Sequence, residues 1–534
     1  LKKILFNSAF AAWLTGFFIF LQQRVSEQHF LHAWQEGDIP VLFSAFFILT
    51  TIAKRSVGVF LLILVHLLFL TEVLHFLYYG HRINPSEIYR FFRDFQEVAD
   101  GLSGSLWKMF IPWIGIMSFF LALHVYFFVR FFSDFIKIPY IGWLFLAGFG
   151  ILVKNAAMES TPGRPGLQNQ NFIRSSTETL ASFLGNYLPM TFRGITSGGK
   201  EVPVPARIPP TDASVLFIIG ESMAASHLSA MGYSLPTTPE LKKLAETRRI
   251  LLKKVLVSGT NTEISLLNFF FFLDTLQQFG QLHKGEHLLF RLSRQSGFIN
   301  YYVSTQSLKG GSYILGYMDQ KYIDCISLPH HRDPKVSLSE PQPDSCILPV
   351  LDTILKNPRK KCIFLQLYGC HEPYNERYPP EFAQKLVTKD ENHTIHYDRA
   401  MLYQDYLLKK IFDKCMNQSS TPLYVFFLPD HGECAGDEGV FGHNMFREPV
   451  LLVPFVYFTV GKEYGDTLWE YFDHSPFLLT QKQINVALRR LLGFDYKYYP
   501  VPYSTVIGMD YMGHDGHVMV KTDSSDIREI SDIR

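Results

Sequence analysis

Residues 421–443 read TPLYVFFLPDHGECAGDEGVFGH, an apolar, β-branched and aromatic run that stops at Pro429-Asp430-His431-Gly432-Glu433. This is the pattern of a buried strand running into a loop. It delivers an Asp and a His side by side at the carboxyl end of the strand, where open α/β sheets place their ligands. Carboxylate oxygen and imidazole nitrogen are both good zinc ligands, and neither alone holds a metal. His443 follows twelve residues after His431, close enough to fold back over the same place as a further ligand. An isolated Asp-His pair is more often a capped turn with a surface His, so the rest of the chain has to decide.

Two more strand-like runs end in chemistry. SVLFIIG (214–220) runs into Glu221-Ser222, and KCIFLQLYGC (361–370) into His371-Glu372-Pro373-Tyr374. Acidic, His and hydroxyl groups at one edge of a sheet are what a metal-assisted transfer site requires. A nucleophile is also needed. No Cys stands in a C-x-P-x-R context, which excludes a formylglycine. Ser222 is one candidate. The others are the two threonines of Ser258-Gly259-Thr260-Asn261-Thr262-Glu263, which precede the apolar run 264–272 as though at a helix start. A hydroxyl there gains from the positive helix terminus and from a bound metal, both of which favour the alkoxide.

The elements that must position these residues alternate from residue 213 onward. Strands are expected at 214–220, 361–367, 424–428 and 451–458, and helices at 239–246, 266–279, 288–296, 346–355, 398–416 and 481–492. Such alternation predicts an α/β sandwich on a largely parallel sheet, spanning 213–534. Residues 154–212 read as a linker, punctuated by GRPG, SGGK and PVPARIPPTD, with one bridging helix at 175–188. At 534 residues the chain fits two or three domains, and its net charge of +1 gives no field to attract nucleic acid.

The first 153 residues predict a membrane domain. Apolar segments stand at 4–21, 39–53, 57–79, 109–131 and 138–153. The first, third and fourth meet the length of about 20 residues that a spanning helix needs, and the second and fifth are short. The first has a long apolar core and no A-x-A-like site before Gln22, which favours a retained span over a cleaved leader. Lys2 and Lys3, Lys54 and Arg55, then Arg130 and Lys137 fall at alternate faces, so five spans with the amino terminus inside leave everything after Val153 outside the cytoplasm. Ile88, Tyr89, Phe91, Phe92 and Phe95, with Arg90, Arg93 and Asp94 opposite, suggest an interfacial helix near 84–100. The six cysteines all lie in the outer portion, and Cys325 with Cys346 is the preferred disulfide across a Pro-rich loop.

The motifs I-G-E-S…M-G-Y-S-L-P-T-T-P-E-L (219–241), S-G-T-N-T (258–262), G-C-H-E-P-Y-N-E-R-Y-P (369–379), Y-D-R-A-M-L-Y-Q-D (397–405) and D-H-G-E…G-V-F-G-H (430–443) together resemble the membrane-anchored phosphoethanolamine transferases of Gram-negative bacteria. These belong to the alkaline phosphatase/sulfatase superfamily. The resemblance implies zinc ligands Glu221, Thr262, Asp430 and His431, with Thr262 as nucleophile. It implies substrate contacts from His371 and His443, and more loosely from Lys309 and Glu97. One zinc ion would be essential, with a second as an option during turnover. The donor would be phosphatidylethanolamine and the acceptor a lipopolysaccharide or related glycolipid. The protein would be a monomer of the bacterial inner membrane with its catalytic domain in the periplasm. Two departures matter: Ser258 and Asn268 stand where many lipid A-modifying members carry a disulfide. A phosphoglycerol transferase of the lipoteichoic-acid-synthase type is the nearest alternative, and the HEPYNERYP stretch favours ethanolamine. A catalytically silent membrane sensor is the alternative of another class.

Overall fold

The computed structural model describes residues 1–27, 38–79, 83, 107–138, 140–158, 177, 179–181, 183–187, 203–273, 285–306, 314–315, 318–328, 344–388, 391–461, 467–497, 503–507, 517–521 and 530–532. Two compact units are distinguished: Leu1–Phe95 with Leu102–Ile195 and Glu438–Phe441, and Gln96–Gly101 with Thr196–Asp437 and Gly442–Arg534.

The first unit contains α1 (Lys2–Glu27), α2 (Asp38–Thr50), α3 (Arg55–Tyr79), α4 (Trp107–Arg130) and α5 (Ile141–Met158). Among the described residues, three stretches are long and apolar enough to cross a membrane: Lys2–Arg24, Arg55–His75 and Phe110–Arg130. Helices α2 and α5 are shorter, at 13 and 18 residues. Phe60, Ile111 and Phe119 are exposed, and some of the polar groups inside are paired. Asn7 Nδ2 donates to Thr50 Oγ1 at 2.7 Å, and the His66 and His124 rings meet at 2.8 Å. The helix expected near 84–100 and most of the 154–212 linker lie outside the described residues. Of the bridging helix, residues 179–181 are helical and Phe183–Tyr187 form a π-helical turn.

In the second unit an eight-stranded sheet has the order β10-β2-β9-β6-β1-β5-β3-β4. The strands are β1 (Ser214–Gly220), β2 (Leu251–Leu256), β3 (Ile299–Ser304), β4 (Cys325–Ser327), β5 (Lys361–Gln366), β6 (Leu423–Pro429), β9 (Leu452–Val460) and β10 (Leu479–Thr480). The short strands β7 (Cys434–Ala435) and β8 (Phe441–Gly442) pair with each other, and β11 (Tyr503–Ile507), β12 (His517–Lys521) and β13 (Ile530–Asp532) form a small separate sheet. Only β9 runs against its neighbours in the large sheet, so the sheet is mostly parallel, as expected. Strand β1 sits centrally with all seven residues buried, which explains its unbroken apolar run. Its side chains alternate: Val215, Phe217 and Ile219 enter one core layer, Leu216 and Ile218 the other.

Six helices matter for the site: α6 (Pro239–Glu246), α7 (Thr262–Phe271), α8 (Leu289–Gln295), α9 (Ile347–Leu355), α11 (His393–Gln418, after the short α10, Pro380–Lys385) and α14 (Gln481–Leu491, after α12, Glu448–Leu451, and α13, Thr467–Asp473). The helix expected at 266–279 begins a turn earlier, because the Asn261 side chain accepts from the Ile264 amide at 3.0 Å and caps it. It ends at Phe271, where Phe272 turns left-handed at φ +58°. The expected Cys325–Cys346 disulfide is not formed; all six cysteines are free thiols. Cys325 lies exposed on the edge strand β4, and Cys346 directly precedes α9. Cys362, Cys370, Cys415 and Cys434 are buried and serve the core as small apolar groups.

Candidate active site

Three strand ends meet at one edge of the sheet. Gly220 of β1 stands beside Pro429 of β6, and Ile219 beside Gln366 of β5, so Glu221, Asp430 and the loop toward His371 emerge together. Thr262 arrives from the first turn of α7. Its Oγ1 lies 3.2 Å from both carboxylate oxygens of Glu221 and 3.3 Å from His431 Nε2. His431 Nε2 is 3.2 Å from Glu221 Oε1 and 3.7 Å from Asp430 Oδ2. Donors on arms of about 2.0–2.1 Å sit about 3.3 Å apart at the vertices of a tetrahedron, so these separations fit one zinc-sized ion. The tautomer fits as well: His431 Nδ1 donates to the Gly432 carbonyl at 2.8 Å, which leaves Nε2 as a lone pair.

The electrostatics favour a cation at this spot. Glu221 and Asp430 are 1% exposed and adjacent, and Asp430 Oδ2 is buried with no hydrogen-bond partner among the described residues. Burial, then the Glu221 charge, push the Asp430 carboxyl well above the usual range. Burial opposes the charge on Glu221 too, yet the hydrogen bond and charge of His431 hold it below the usual range. Burial works against a charged His431, but Asp430 and Glu221 raise it to about 10. A divalent ion would replace that trapped proton and answer the orphaned oxygen.

Neighbouring groups fix the four candidate ligands. Glu221 accepts from Gln306 Nε2 at 2.9 Å and from Ser222 Oγ at 3.0 Å. Ser222, fully buried with its hydroxyl turned to Glu221, serves as a support. Thr260 is buried, whereas Thr262 is half-buried and faces the ligands, which separates the two threonines. His443 is held through Nδ1 by Glu433 at 2.9 Å, and its ring lies 4.4 Å from that of His431 and 6.2 Å from that of His371. His371 Nδ1 donates to the Glu372 carbonyl at 2.7 Å. Glu221, Thr262, Asp430 and His431 are therefore brought together, with His371 and His443 beside them. Lys309 and Glu97 lie outside the described residues.

Helix α11 explains why the run 397–405 is so constrained. Tyr397 donates its hydroxyl to the Ser222 carbonyl at 2.7 Å and accepts from the Ala224 amide. Asp398 holds His227 at 2.7 Å and Tyr233 at 2.9 Å. Gln404 donates to Asp344 Oδ2, and Asp405 caps α6 by accepting from the Glu240 and Leu241 amides. Asp344 in turn accepts from the Tyr368 and Gly369 amides, fixing the loop that carries His371. Gly369 is required there: at φ +61°, a Cβ would meet the Glu221 carbonyl at 2.6 Å. The sequence marks no role for Gln306, Asp344 or Glu433; a lone buried carboxylate in PQPDSC has no local signature. Asn268, at one of the two positions lacking cysteine, donates Nδ2 to the Ser258 carbonyl at 3.1 Å, so a hydrogen bond ties the two positions together.

His227 gives a pH-dependent test. Burial disfavours its charge, but Asp398 and Asp437 raise it from 6.5 to about 9. A raised His stabilises the fold below its unfolded value and loses that contribution as pH climbs through the folded one. The stability of the wild-type protein should therefore fall between about pH 6.5 and pH 9, by an amount on the order of 3 kcal/mol. His227→Gln should flatten that part of the melting-temperature profile; an unchanged slope would refute the assignment.

Residues 213–478 match the sulfatase family. The chain carries a sulfatase-family domain. The chain is similar to the Kdo(2)-lipid A phosphoethanolamine 7''-transferase of Salmonella typhimurium, at 26% identity over 45% of this chain and 44% of that protein. It is also similar to the phosphoethanolamine transferase EptA of Helicobacter pylori, at 27% identity over 43% of this chain and 44% of that protein. The chain thus spans less than half the length of these curated relatives. Among solved structures, the integral membrane lipooligosaccharide phosphoethanolamine transferase A of Neisseria meningitidis superimposes with a TM-score of 0.58 at 16% identity, over 91% of this chain and 96% of that one, a likeness of fold. The sulfatase-family domain here places its Glu, Thr, Asp and His at the carboxyl edge of the sheet, where that architecture puts ligands.

Proposed function

We propose that the protein transfers phosphoethanolamine from phosphatidylethanolamine to an envelope glycolipid, lipid A or a core sugar, through a covalent intermediate on Thr262. The observation that carries this reading is the convergence of Glu221, Thr262, Asp430 and His431 at tetrahedral separations, with a hydroxyl among the donors. These four residues would hold one zinc ion, with His443 and Glu433 near enough to His431 to offer a second position. When bound, zinc supplies a lowered hydroxyl pKa and positive charge beside the reacting phosphodiester.

The chain's own residues do the rest. Thr262 Oγ forms a bond to phosphorus, and the bond from phosphorus to the diacylglycerol oxygen breaks. His443, oriented by Glu433 through Nδ1, offers Nε2 to exchange the proton between acceptor or leaving oxygen and site. His371, whose Nδ1 donates to the Glu372 carbonyl, would as the imidazolium donate Nε2–H to the non-bridging oxygens. A glycolipid oxygen then attacks phosphorus and releases Thr262. Lys309 and Glu97 are further proposed substrate contacts. The likeness to phosphoethanolamine transferases supports this choice of group and acceptor.

Both substrates are lipids, which accounts for apolar helices on the same chain. The proposed setting is five passes of a bacterial inner membrane, a monomer, and the sulfatase-family domain on the periplasmic side. The test is reconstitution of the purified chain in vesicles of phosphatidylethanolamine with lipid A. Mass spectrometry should show diacylglycerol and phosphoethanolamine-lipid A rising together. Diacylglycerol alone would indicate hydrolysis, and neither product would sink the reading.

A further inference from the structure

Helix α14 carries Gln481, Asn485 and Arg489 at i, i+4 and i+8, hence on one face. All three are almost fully buried, at 3%, 2% and 0% exposure, and lie past residue 478, where the family match ends. Each bonds to α7 or to the segment leading into it. Gln481 accepts from the Ser258 amide at 2.8 Å and donates Nε2 to Ser265 Oγ at 3.0 Å; Ser265 in turn donates to the carbonyl of Asp430. Asn485 Nδ2 donates to the Phe269 carbonyl at 2.7 Å. Arg489 donates to the Phe269 and Phe270 carbonyls at 3.2 and 3.0 Å, and its guanidinium also meets Tyr496 and the His287 carbonyl. The stripe thus engages α7 from its first turn to its last.

A second observation says why such a stripe is needed. Every residue of α7 from Glu263 to Phe271 is buried, and most of the side chains it packs into the core are apolar. Apolar packing holds such a helix in the core without choosing sharply between neighbouring registers, whereas buried hydrogen bonds have one solution. A shift of one residue moves the helix by about 1.5 Å, enough to take Thr262 out of reach of Glu221 and His431.

We infer that the Gln481–Asn485–Arg489 stripe is the positioning device for the nucleophile: it locks the axial register of α7, and through Ser265 ties Thr262 to Asp430. This rests on the transferase reading for its kinetic consequence, but its metal-binding consequence stands apart from that reading. These are positioning residues, since none reaches the reacting atoms.

The test uses the full chain in detergent, with Gln481→Met and Asn485→Leu, which keep volume and remove the bonds, and Ser265→Ala, which breaks the same relay with one atom. Zinc affinity is read by chelator competition, and kcat and KM with phosphatidylethanolamine vesicles. Each variant should lose about 10–100-fold in zinc affinity and in kcat, with KM within about threefold. Gln481→Met combined with Ser265→Ala should be no worse than the more damaging single change. A variant with a lowered melting temperature but zinc affinity and kcat within about twofold of wild type would overturn the inference and leave the stripe a stability element. If Gln481→Met fails to fold, Ser265→Ala decides alone by the same criteria. If the wild type binds zinc yet transfers nothing, the transferase reading fails while the zinc affinities still decide the role of the stripe.

Discussion

Thr262→Ala is expected to abolish transfer, by about four orders of magnitude or more, and to leave the fold and the melting temperature nearly unchanged. The reason is local. Thr262 is half-buried at the first position of α7, and that helix is capped by Asn261 and packed by its apolar residues, none of which depends on the Thr262 hydroxyl. Removing that hydroxyl takes away the proposed nucleophile, which lies against Glu221 and His431. Ser222 cannot replace it, because its hydroxyl is buried against Glu221. Retained transfer in the reconstituted vesicles, with zinc bound, would show that another group attacks phosphorus.

Asp430→Asn separates function from stability. Its carboxylate carries an orphaned oxygen beside Glu221, and burial with that like charge pushes its protonation upward. The amide keeps the oxygen that accepts from the His431 amide at 2.8 Å and puts a donor where the orphan was. The metal-free variant should therefore be at least as stable as the metal-free wild type, by about 1–2 kcal/mol at neutral pH. A raised carboxyl loses stability as pH rises through its folded value, so the gap should widen with pH. Zinc binding should be lost, and with it the rise in melting temperature that excess zinc gives the wild type, about 2.7 kcal/mol at a hundredfold excess over Kd. Calorimetry with and without a chelator reads both effects. A metal-free variant less stable than the metal-free wild type would refute the picture of two opposed carboxylates awaiting a cation.

The legibility of this site in the sequence was uneven, for physical reasons. Strands β1, β5 and β6 are central and buried on both faces, so they read as continuous apolar runs, and each ends in the residue type that the site uses. The outer strands are not legible. β2, LLKKVL, has two lysines mid-run, and β4 has only three residues, so neither shows a clean period. Helix α7 starts ahead of the expected residue 266 because capping by Asn261 outweighs the weak helix preference of Thr262. The support of the ligands was invisible for a different reason. Gln306, Asp344, Glu433 and Gln481 act through partners far away in the chain, as when Asp344 binds Gly369 and Gln404, and no local pattern marks such pairs.

If Thr262 carries the transferred group, the loaded intermediate can be trapped. The zinc-loaded chain is mixed with phosphatidylethanolamine vesicles lacking any acceptor, quenched in acid, digested and mapped by mass spectrometry. The expected result is phosphoethanolamine on the peptide containing Thr262, discharged when lipid A is added before the quench. Modification of another residue, or none while diacylglycerol accumulates and lipid A becomes modified, would contradict it.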